Sequence, residues 1–497
     1  MAKADRPSRH VELERKFDVP EGVTSPSFDG LAWVSKVDKK PTQTLEAVYF
    51  DTAKRDLSAN RIALRRRTGG SDAGWHLKLP SAPGESAEAR TEFHAALGPE
   101  IPPELRDMVL AIVRDRPLVP VARIVNNRTV TLIHGPDGAA LAEFCDDHVV
   151  ACRIDTNGGP EAEQHWREWE LEAVDAGNDD AAGVLNRLSN RLFDAGAVTA
   201  GHGSKLAKVL GDTAPVRPEP PADPVHRAVA EQVAALLAWD RAVRADADDA
   251  VHQMRVTIRQ IRSLLQASED EFGLTDDATI LTELRELAGV LGIARDAEVL
   301  TERFRDALDA LPPELVRGPV RQRLVDGGWQ RYRSGLNRSL KAMRSPRYFR
   351  LLDALDDVVV TSPTPDDDAP HPTIASGFKR VRSRARAAAE ATTEHDLDDA
   401  LHRVRKAAKR LRYVAAATGN RAVSERAKVI QSLLGDHQDS VVSRTFLLQT
   451  ADAAHAAGED TFTYGVLYQL EEELAHRCRA QLADALKALR SSVRKAT

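Results

Sequence analysis

The chain has little cysteine and no long apolar run. Of its 497 residues only three are cysteines, at positions 145, 152 and 478. They are too few and too scattered to form a disulfide framework or a thiolate metal site, which indicates a reducing compartment. No stretch reaches the ~18 apolar residues of a membrane span, and residues 1–6 lack the apolar core of a signal peptide. We therefore expect a cytoplasmic protein with no membrane partner.

An excess of positive charge is also missing. The chain has 69 Lys and Arg against 75 Asp and Glu, a net charge of −6. This balance argues against wholesale nucleic-acid binding, so no nucleic-acid partner is expected, although it hides strongly basic patches. The length exceeds the size at which single hydrophobic cores stop growing, and predicts two to four domains.

The order of residue types along the chain predicts three regions. Residues 8–210 contain Val, Leu, Ile and Trp runs separated by turn clusters such as Gly69-Gly70-Ser71-Asp72, which is typical of strands. Residues 211–224 are rich in proline and predict a semi-rigid linker. Residues 225–497 have apolar residues at helical spacing. A second proline-broken stretch, 361–372, divides this helical region into halves of about 225–360 and 373–497.

A repeated cassette indicates that one helical unit was used twice. Four polar residues in the first half recur at the same spacing in the second half, and each set is followed by a similar glycine-containing segment, 290–296 and 433–439, which we interpret as a turn. The two sets are His252, Arg255, Arg259 and Arg262, and His402, Arg405, Lys409 and Arg412.

The position of these cations on the helix favours a ligand. At 100° per residue, each polar set falls within roughly 80° and borders the apolar sector, which holds Met254, Ile258, Ile261 and Leu265 in one copy and Val404, Ala408, Leu411 and Ala415 in the other. A stripe beside the packing seam faces a groove between helices, and its like charges repel until a polyanion neutralises them. The alternative is a duplicated bundle with a solvated basic face and no ligand.

In the first region, charged residues alternate along several strands. Glu12, Glu14 and Lys16 would project from one face of a strand, which taken alone is most simply a solvated face. Other predicted strands repeat the arrangement, with Arg65 and Arg67, Lys78, Arg90 and Glu92, Arg128, and Glu168, Glu170 and Glu172.

A closed barrel with its polar face inward explains why so many strands share this pattern. Its interior would be a tunnel of acids and bases, and because burying unpaired charge is costly, ions and a ligand would have to neutralise it. Carboxylates suit Mg²⁺ or Mn²⁺, and arginine and lysine suit phosphate oxygens. The pattern therefore predicts metal-assisted transfer of a phosphoryl group to water.

Two families resemble this chain. Residues 8–210 resemble the CYTH domain of the triphosphate tunnel metalloenzymes, on Glu12-x-Glu14-x-Lys16, Tyr49-Phe50-Asp51-Thr52, Leu64-Arg65-x-Arg67, Lys78, Arg90-x-Glu92, Arg128, Glu170-x-Glu172 and Ser204-Lys205. Residues 225 to about 490 resemble the CHAD domain, a conserved-histidine α-helical domain associated with polyphosphate, on the repeated cassette.

The resemblance implies an α+β multidomain fold, with an eight-stranded antiparallel β-barrel followed by two pseudo-symmetric four-helix bundles. It implies Mg²⁺ or Mn²⁺ ligands at Glu12, Glu14, Glu170 and Glu172. It implies catalytic phosphate contacts by Lys16, Arg65 and Arg67, and substrate binding by Lys78, Arg90, Arg128 and Lys205. The two cassettes would bind polyphosphate. Asn126 stands where many relatives have a basic residue, which leaves the length of the substrate open.

Three functions follow from the same residues. The first is hydrolysis of inorganic triphosphate or a related linear triphosphate, with the helical domain binding polyphosphate and placing the enzyme at polyphosphate granules. The second is a protein that binds polyphosphate without turnover, although a pure anion binder gains nothing from carboxylates. The third is an adenylate cyclase, which would need a pocket for the base that the sequence does not reveal. The oligomeric state and the preferred metal stay open.

Overall fold

A computed structural model describes residues 7–80, 89–155, 157–175, 180–213, 221–267, 279–360 and 373–496. The predicted connection at 361–372 and residues 214–220 of the predicted linker lie outside this part of the chain.

The described N-terminal region contains ten strands, and eight of them close into an antiparallel barrel. The ring runs β1-β6-β5-β4-β3-β7-β8-β9 and returns to β1, while β2 pairs with β7 and β10 pairs with β1. The predicted eight-stranded barrel is therefore confirmed. The strands are β1 Ser8–Asp18, β2 Lys36–Lys39, β3 Gln43–Asp51, β4 Ala63–Thr68, β5 Gly74–Pro80, β6 Ala89–Ala96, β7 Val119–His134, β8 Ala140–Arg153, β9 Gln164–Ala173 and β10 Val198–Thr199.

Alternation along each strand gives the barrel a polar interior and an apolar exterior. On β1, Glu12, Glu14 and Lys16 line the interior, whereas Leu13 and Phe17 belong to an outer core with Trp169, which the helix at residues 181–194 covers. A second outer core lies under the short helices of residues 56–113. Because the apolar faces are buried outside the wall, the charged faces are left to enclose the cavity.

Among the described residues there are fourteen α-helices, and none is both long and apolar enough to cross a lipid bilayer. Five belong to the barrel region: α1 Asp56–Ala59, α2 Pro103–Met108, α3 Leu110–Val113, α4 Ala181–Asp194 and α5 Lys205–Leu210. The others form the predicted helical region: α6 Pro224–Arg244, α7 Ala250–Ala267, α8 Thr279–Ala310, α9 Gly327–Met343, α10 Pro346–Val360, α11 Ile374–Ala389, α12 Glu394–Ala417, α13 Arg421–Ala456 and α14 Phe462–Ala496.

The second half of the helical region is a four-helix bundle. Helices α11 to α14 pack in sequence around a core that includes Val381, Val404, Leu411 and Ile430. The first half has five helices, because its last stretch is divided between α9 and α10. Pro346 is the first residue of α10, and the Ser345 hydroxyl accepts a hydrogen bond from the Tyr348 amide at 3.3 Å, so a new helix begins there.

The chain forms two compact units. The first contains residues 1–264 and 342–362, that is, the barrel with α6, most of α7 and α10. The second contains residues 265–341 and 363–497.

Helices α7 and α12 present the faces that the sequence predicts. Met254, Ile258, Ile261 and Leu265 on α7 are fully buried, as are Val404, Ala408, Leu411 and Ala415 on α12.

The predicted turns at 290–296 and 433–439 are wrong, because both segments lie inside long helices, α8 and α13. Glycine there does not end the helix. A Cβ on Gly435 would meet the Arg405 guanidinium at 3.4 Å, an ordinary van der Waals distance, so the helix continues through this position without needing a glycine there.

Candidate active site

One cavity of about 220 Å³ runs inside the barrel, and the structure brings all eleven predicted barrel residues to its wall. They come from β1, β4, β5, β6, β7, β9 and α5, so only closure of the sheet puts them together. They are Glu12, Glu14, Lys16, Arg65, Arg67, Lys78, Arg90, Arg128, Glu170, Glu172 and Lys205.

The wall has acidic and basic groups in equal number. Of the described residues that line it, seven are basic and seven are acidic, because the four predicted glutamates are joined by Asp72, Glu92 and Glu143. Buried charges of one sign would be very costly, and alternation of the two signs reduces that cost. A wall of this kind can hold an anion together with cations that compensate it.

At one side of the cavity the acids share a lysine. Lys78 Nζ lies 2.6 Å from Glu12 Oε2 and 4.0 Å from Glu92 Oε2. Burial, together with the nearby Glu92 and Glu14 carboxyls, raises the pKa of Glu12 to about 8, although Lys78 opposes the shift. One proton is therefore retained among these carboxyls near neutral pH, and a divalent cation could replace it.

Three carboxylates stand side by side across neighbouring strands. Glu172 on β9 is directly opposite Glu14 on β1 and Glu143 on β8. Burial opposes ionisation of Glu14, but the ammonium groups of Lys16 and Lys78 outweigh it and hold its pKa at about 2. Glu172 has no hydrogen bond or ion pair with a described residue, and burial beside Glu14, Glu170 and Glu143 raises its pKa to about 7. A hard cation fits this set.

A separate cluster of acids is already filled by a lysine. Asp147, Glu168 and Glu170 have carboxylate oxygens within 4.8 Å of one another, a spacing that could hold a metal. However, Lys205 Nζ lies 2.8 Å from Asp147, 2.7 Å from Glu168 and 2.8 Å from Glu170. Arg128 also pairs with Asp147 and Glu170. A metal at this cluster would have to displace a lysine that three carboxylates hold. Glu12 and Glu14 are also paired, with Lys78 and Lys16, but Glu172 opposite Glu14 has no ion pair with a described residue, so Glu12, Glu14 and Glu172 offer the better site.

The two arginines of β4 on the cavity wall are crowded. Arg65 lies 3.4 Å from both Glu92 and the Tyr49 hydroxyl. Burial lowers the pKa of Arg67 to about 9, with Arg65 and Arg128 adding to the shift. Since an anion between these groups would relieve the repulsion, the arginine wall suits phosphate oxygens.

Asn126 leaves a gap in this wall. Its side chain is buried on the cavity surface of β7, two residues before Arg128, and its Oδ1 has no hydrogen-bond partner among the described residues. An amide can still donate to a phosphate oxygen, but it contributes no charge.

The two helical cassettes each lie along one side of their helix. His252, Arg255 and Arg262 are half-buried, and Arg259 is exposed. In the second copy, all four residues, from His402 to Arg412, are half-buried, whereas the intervening Arg403, Lys406 and Arg410 are exposed. This difference in exposure is the one expected for a row of cations that lies next to the buried, packing face of the helix.

Several lining residues were not assigned from the sequence. Glu92 belongs to the Arg90-x-Glu92 pair and could have been included on alternation alone, and Tyr49 belongs to the Tyr49-Phe50-Asp51-Thr52 motif. Glu143 carries a weaker signal, because the charged residues of β8 do not alternate regularly along the strand. Asp72 comes from a turn, where no periodicity exists to find it.

Comparison with known proteins gives two family matches. A CYTH domain model matches residues 10–182, and a CHAD domain model matches residues 227–448. Two proteins of Mycobacterium tuberculosis are 59% identical to this chain over 510 residues. They come from strains CDC 1551 / Oshkosh and H37Rv, and both are described as uncharacterised. Each match covers 99% of this chain and 99% of the relative.

Solved structures are more distant. PptA from Streptomyces chartreusis is 19% identical, with a TM-score of 0.44, and the match covers 54% of this chain and 100% of that one. The CHAD domain from the plant Ricinus communis is 20% identical, with a TM-score of 0.37. This match covers 56% of this chain and 94% of that one.

Proposed function

Because this chain belongs to the proteins in which a CYTH domain of the triphosphate tunnel family is followed by a CHAD domain, we propose that its barrel hydrolyses inorganic triphosphate or a related linear triphosphate. The observation that carries the proposal is the enclosed cavity, in which seven cations alternate with seven carboxylates. A chain of phosphates matches the cations, and a divalent ion matches a group of carboxylates that includes Glu172, which has no ion pair with a described residue.

Each wall has its own task in this proposal. Lys16, Arg65 and Arg67 bind the oxygens of the phosphate under attack, and their charge stabilises the negative charge that develops in the transition state. Lys78, Arg90, Arg128 and Lys205 hold the rest of the substrate in line. The barrel wall keeps bulk water away, so these interactions act in a medium of low dielectric constant.

Glu12, Glu14 and Glu172 would hold Mg²⁺ or Mn²⁺, with Glu170 at the edge of the site. When bound, the metal supplies further neutralisation and orients the attacking water. The raised pKa values of Glu12 and Glu172 support this assignment, since both groups keep a proton that a cation could replace.

For the helical region we propose binding of polyphosphate along the two cassettes, which would place the enzyme at polyphosphate granules. The half-buried cations of α12 support it, because guanidinium groups held beside a packing seam are pre-ordered for a polyanion. Loss of polyphosphate retention by an Arg255→Ala plus Arg405→Ala variant, with triphosphate hydrolysis unchanged, is the expected result. Retention equal to that of the parent protein would refute this part.

The test of the barrel is a substrate panel on the full chain. Triphosphate, long polyphosphate, ATP and thiamine triphosphate are offered with Mg²⁺ or Mn²⁺, and products are compared with those of a Glu12→Gln plus Glu14→Gln variant. We expect metal-dependent release of phosphate from triphosphate, and a loss of at least about a hundredfold in the variant. Tight binding without any release would identify a binding protein, and cyclic AMP from ATP would identify a cyclase.

A further inference from the structure

Behind the tunnel wall lies a buried histidine that faces two hydrogen-bond acceptors. His76 on β5 is 2% exposed and does not itself line the cavity. Its Nδ1 lies 3.0 Å from Glu92 Oε1, and its Nε2 lies 3.0 Å from the backbone oxygen of Asp72. A neutral imidazole carries one N–H group and donates to one of these oxygens, whereas the imidazolium donates to both.

The carboxyl group of Glu92 does not supply the missing proton. Burial opposes its ionisation, but the charges of Lys78 and Arg65 outweigh burial and hold the pKa of Glu92 well below its usual range. Glu92 is therefore an acceptor, and the second N–H group has to belong to His76.

The two acceptors lead to cations of the tunnel wall. Glu92 lies 3.4 Å from Arg65 and 4.0 Å from Lys78. The Asp72 carboxylate pairs with Arg67. A ring that donates to both acceptors thus fixes both arginines of β4, although it touches neither the cavity nor a ligand in it.

The charges around His76 couple its protonation to an anion in the tunnel. The charged and titratable groups that face it are Arg65 and Arg67 from β4, Glu92 and His94 from β6, and Asp72 from the turn between β4 and β5. Burial lowers the pKa of His76 to about 4, with the two arginines adding to the shift and the hydrogen bond to Glu92 opposing it. Phosphate oxygens against the arginines would cancel the part of the shift that the arginines cause, and so favour the imidazolium.

We propose that His76 takes up a proton when a linear phosphate chain binds in the tunnel. The imidazolium then donates to Glu92 and to the Asp72 backbone at the same time, and through them it holds the arginines of β4 against the phosphates. His76 is thus a positioning residue. The proposal rests on the proposed function and adds to it a proton that is bound together with the substrate.

Calorimetric titration of the full chain with inorganic triphosphate, in two buffers of different ionisation enthalpy, measures the proton uptake. No metal is added, so that no cation displaces carboxyl protons. The parent protein is compared with His76→Asn and His76→Gln, whose amide nitrogens replace Nδ1 and Nε2 respectively and cannot gain a proton. At pH 6 we expect the parent to take up as much as about one proton more per chain than either variant.

The matched control is His165→Gln. His165 is exposed on β9, and its Nε2 lies 3.7 Å from Glu163. This variant should take up as many protons as the parent protein.

Kinetics with Mg²⁺ distinguish positioning from a purely structural role. Both His76 variants should lower kcat for triphosphate about tenfold and change KM less than about twofold, because the arginines of β4 contact the phosphate under attack in the proposed function. If the variants fail to fold, nitrogen NMR signals of the histidines in the parent protein, recorded with and without triphosphate, decide the inference, because a ring that gains a proton changes both of its nitrogen shifts.

Proton uptake that is equal in the parent protein and the His76 variants would overturn the inference, and so would a higher KM with an unchanged kcat. Binding of triphosphate without release of phosphate would refute the proposed function alone, and the proton uptake would still decide the inference. Absence of triphosphate binding by the parent protein would refute both.

Discussion

Glu172 is the residue whose protonation best reports on a metal. Its pKa is raised from 4.5 to about 7 by burial beside Glu14, Glu170 and Glu143, against the opposing charge of Lys78. Above pH 7 the carboxylate is free for a cation, and below it a proton competes. In the metal-free protein the folded state keeps a proton that the unfolded chain has released, so the free energy of unfolding falls as pH rises from 4.5 to 7.

We therefore predict that Mg²⁺ or Mn²⁺ binds more tightly as pH rises from 6 to 8, by up to about tenfold per unit for each proton displaced. Calorimetry of the full chain at several pH values measures this. A Glu172→Gln variant should lose the part of this pH dependence that lies around pH 7 and keep the part that Glu12 causes near pH 8, and its metal-free form should lose less stability between pH 4.5 and 7. Affinity that does not change with pH would contradict the metal assignment.

At the scale of single elements, Asp51 fixes the loop between β3 and β4. At the end of β3 its carboxylate accepts hydrogen bonds from the amides of Thr52, Leu57 and Ser58 and from the Ser58 hydroxyl, at 2.7 to 2.9 Å. It is 1% exposed. The Tyr49-Phe50-Asp51-Thr52 motif thus has a structural member, which shapes helix α1 and does not reach the tunnel.

We predict that Asp51→Ala lowers the free energy of unfolding by about 3 kcal/mol, because buried amides lose a charged acceptor. Urea unfolding measures it. Asp137→Ala is the matched control, since Asp137 is exposed and accepts one hydrogen bond from the Ala139 amide. That change should cost less than about 1 kcal/mol. Equal losses for the two variants would show that Asp51 has no special role.

Two glycines in the helical region predict opposite effects of one substitution. A Cβ on Gly335 in α9 would lie 2.7 Å from backbone atoms of Ala294 in α8, whereas one on Gly289 in α8 would meet nothing within 4 Å. Gly335→Ala should cost about 1–3 kcal/mol through overpacking, despite the better helix propensity of alanine. Gly289→Ala should stabilise by about 0.5–1 kcal/mol. Thermal unfolding of both variants tests the pair, and a stabilised Gly335→Ala would contradict the close helix contact.

At the scale of the whole molecule, the first compact unit joins the barrel to helices of the other region. Arg114, buried after α3, pairs with Asp353 and Asp356 on α10. Asp107 on α2 lies 3.0 Å from Arg244 on α6 and 2.8 Å from Arg344. The first compact unit therefore extends past the proline-rich segment of residues 211–224. Helices α6 and α10 pack with the barrel region in this unit.

Removing Arg114 should weaken the contact between α10 and the barrel region. We predict that Arg114→Ala lowers the free energy of unfolding by about 1–2 kcal/mol, since the two aspartates are half-exposed and solvent screens part of the loss. It should also raise amide hydrogen exchange in α10. Arg386→Ala, which breaks the exposed pair between Arg386 and Glu390 at the end of α11, should cost less than about 0.5 kcal/mol. Unchanged amide hydrogen exchange in α10 would mean that other contacts hold α10 against the barrel region.

The sequence by itself determined the charged faces of the barrel strands and the cationic faces of the helices, because both depend on period, whereas the number of strands came from the resemblance to the CYTH domain. Alternation at two residues puts Glu12, Glu14 and Lys16 on one face of a strand, and spacing at three and four residues puts His402 and Arg405 beside the seam of a helix. Glycine carries no such periodic signal, and for this reason the turns that the sequence predicts around Gly292 and Gly435 are wrong.

Only the tertiary structure decided which charges neutralise one another. Lys205 fills the cluster of Asp147, Glu168 and Glu170, whereas Glu172 has no ion pair with a described residue. These residues are distant in sequence. Their pairing depends on the register and closure of the sheet, and electrostatic energy depends on distance and burial in three dimensions, which no local pattern records.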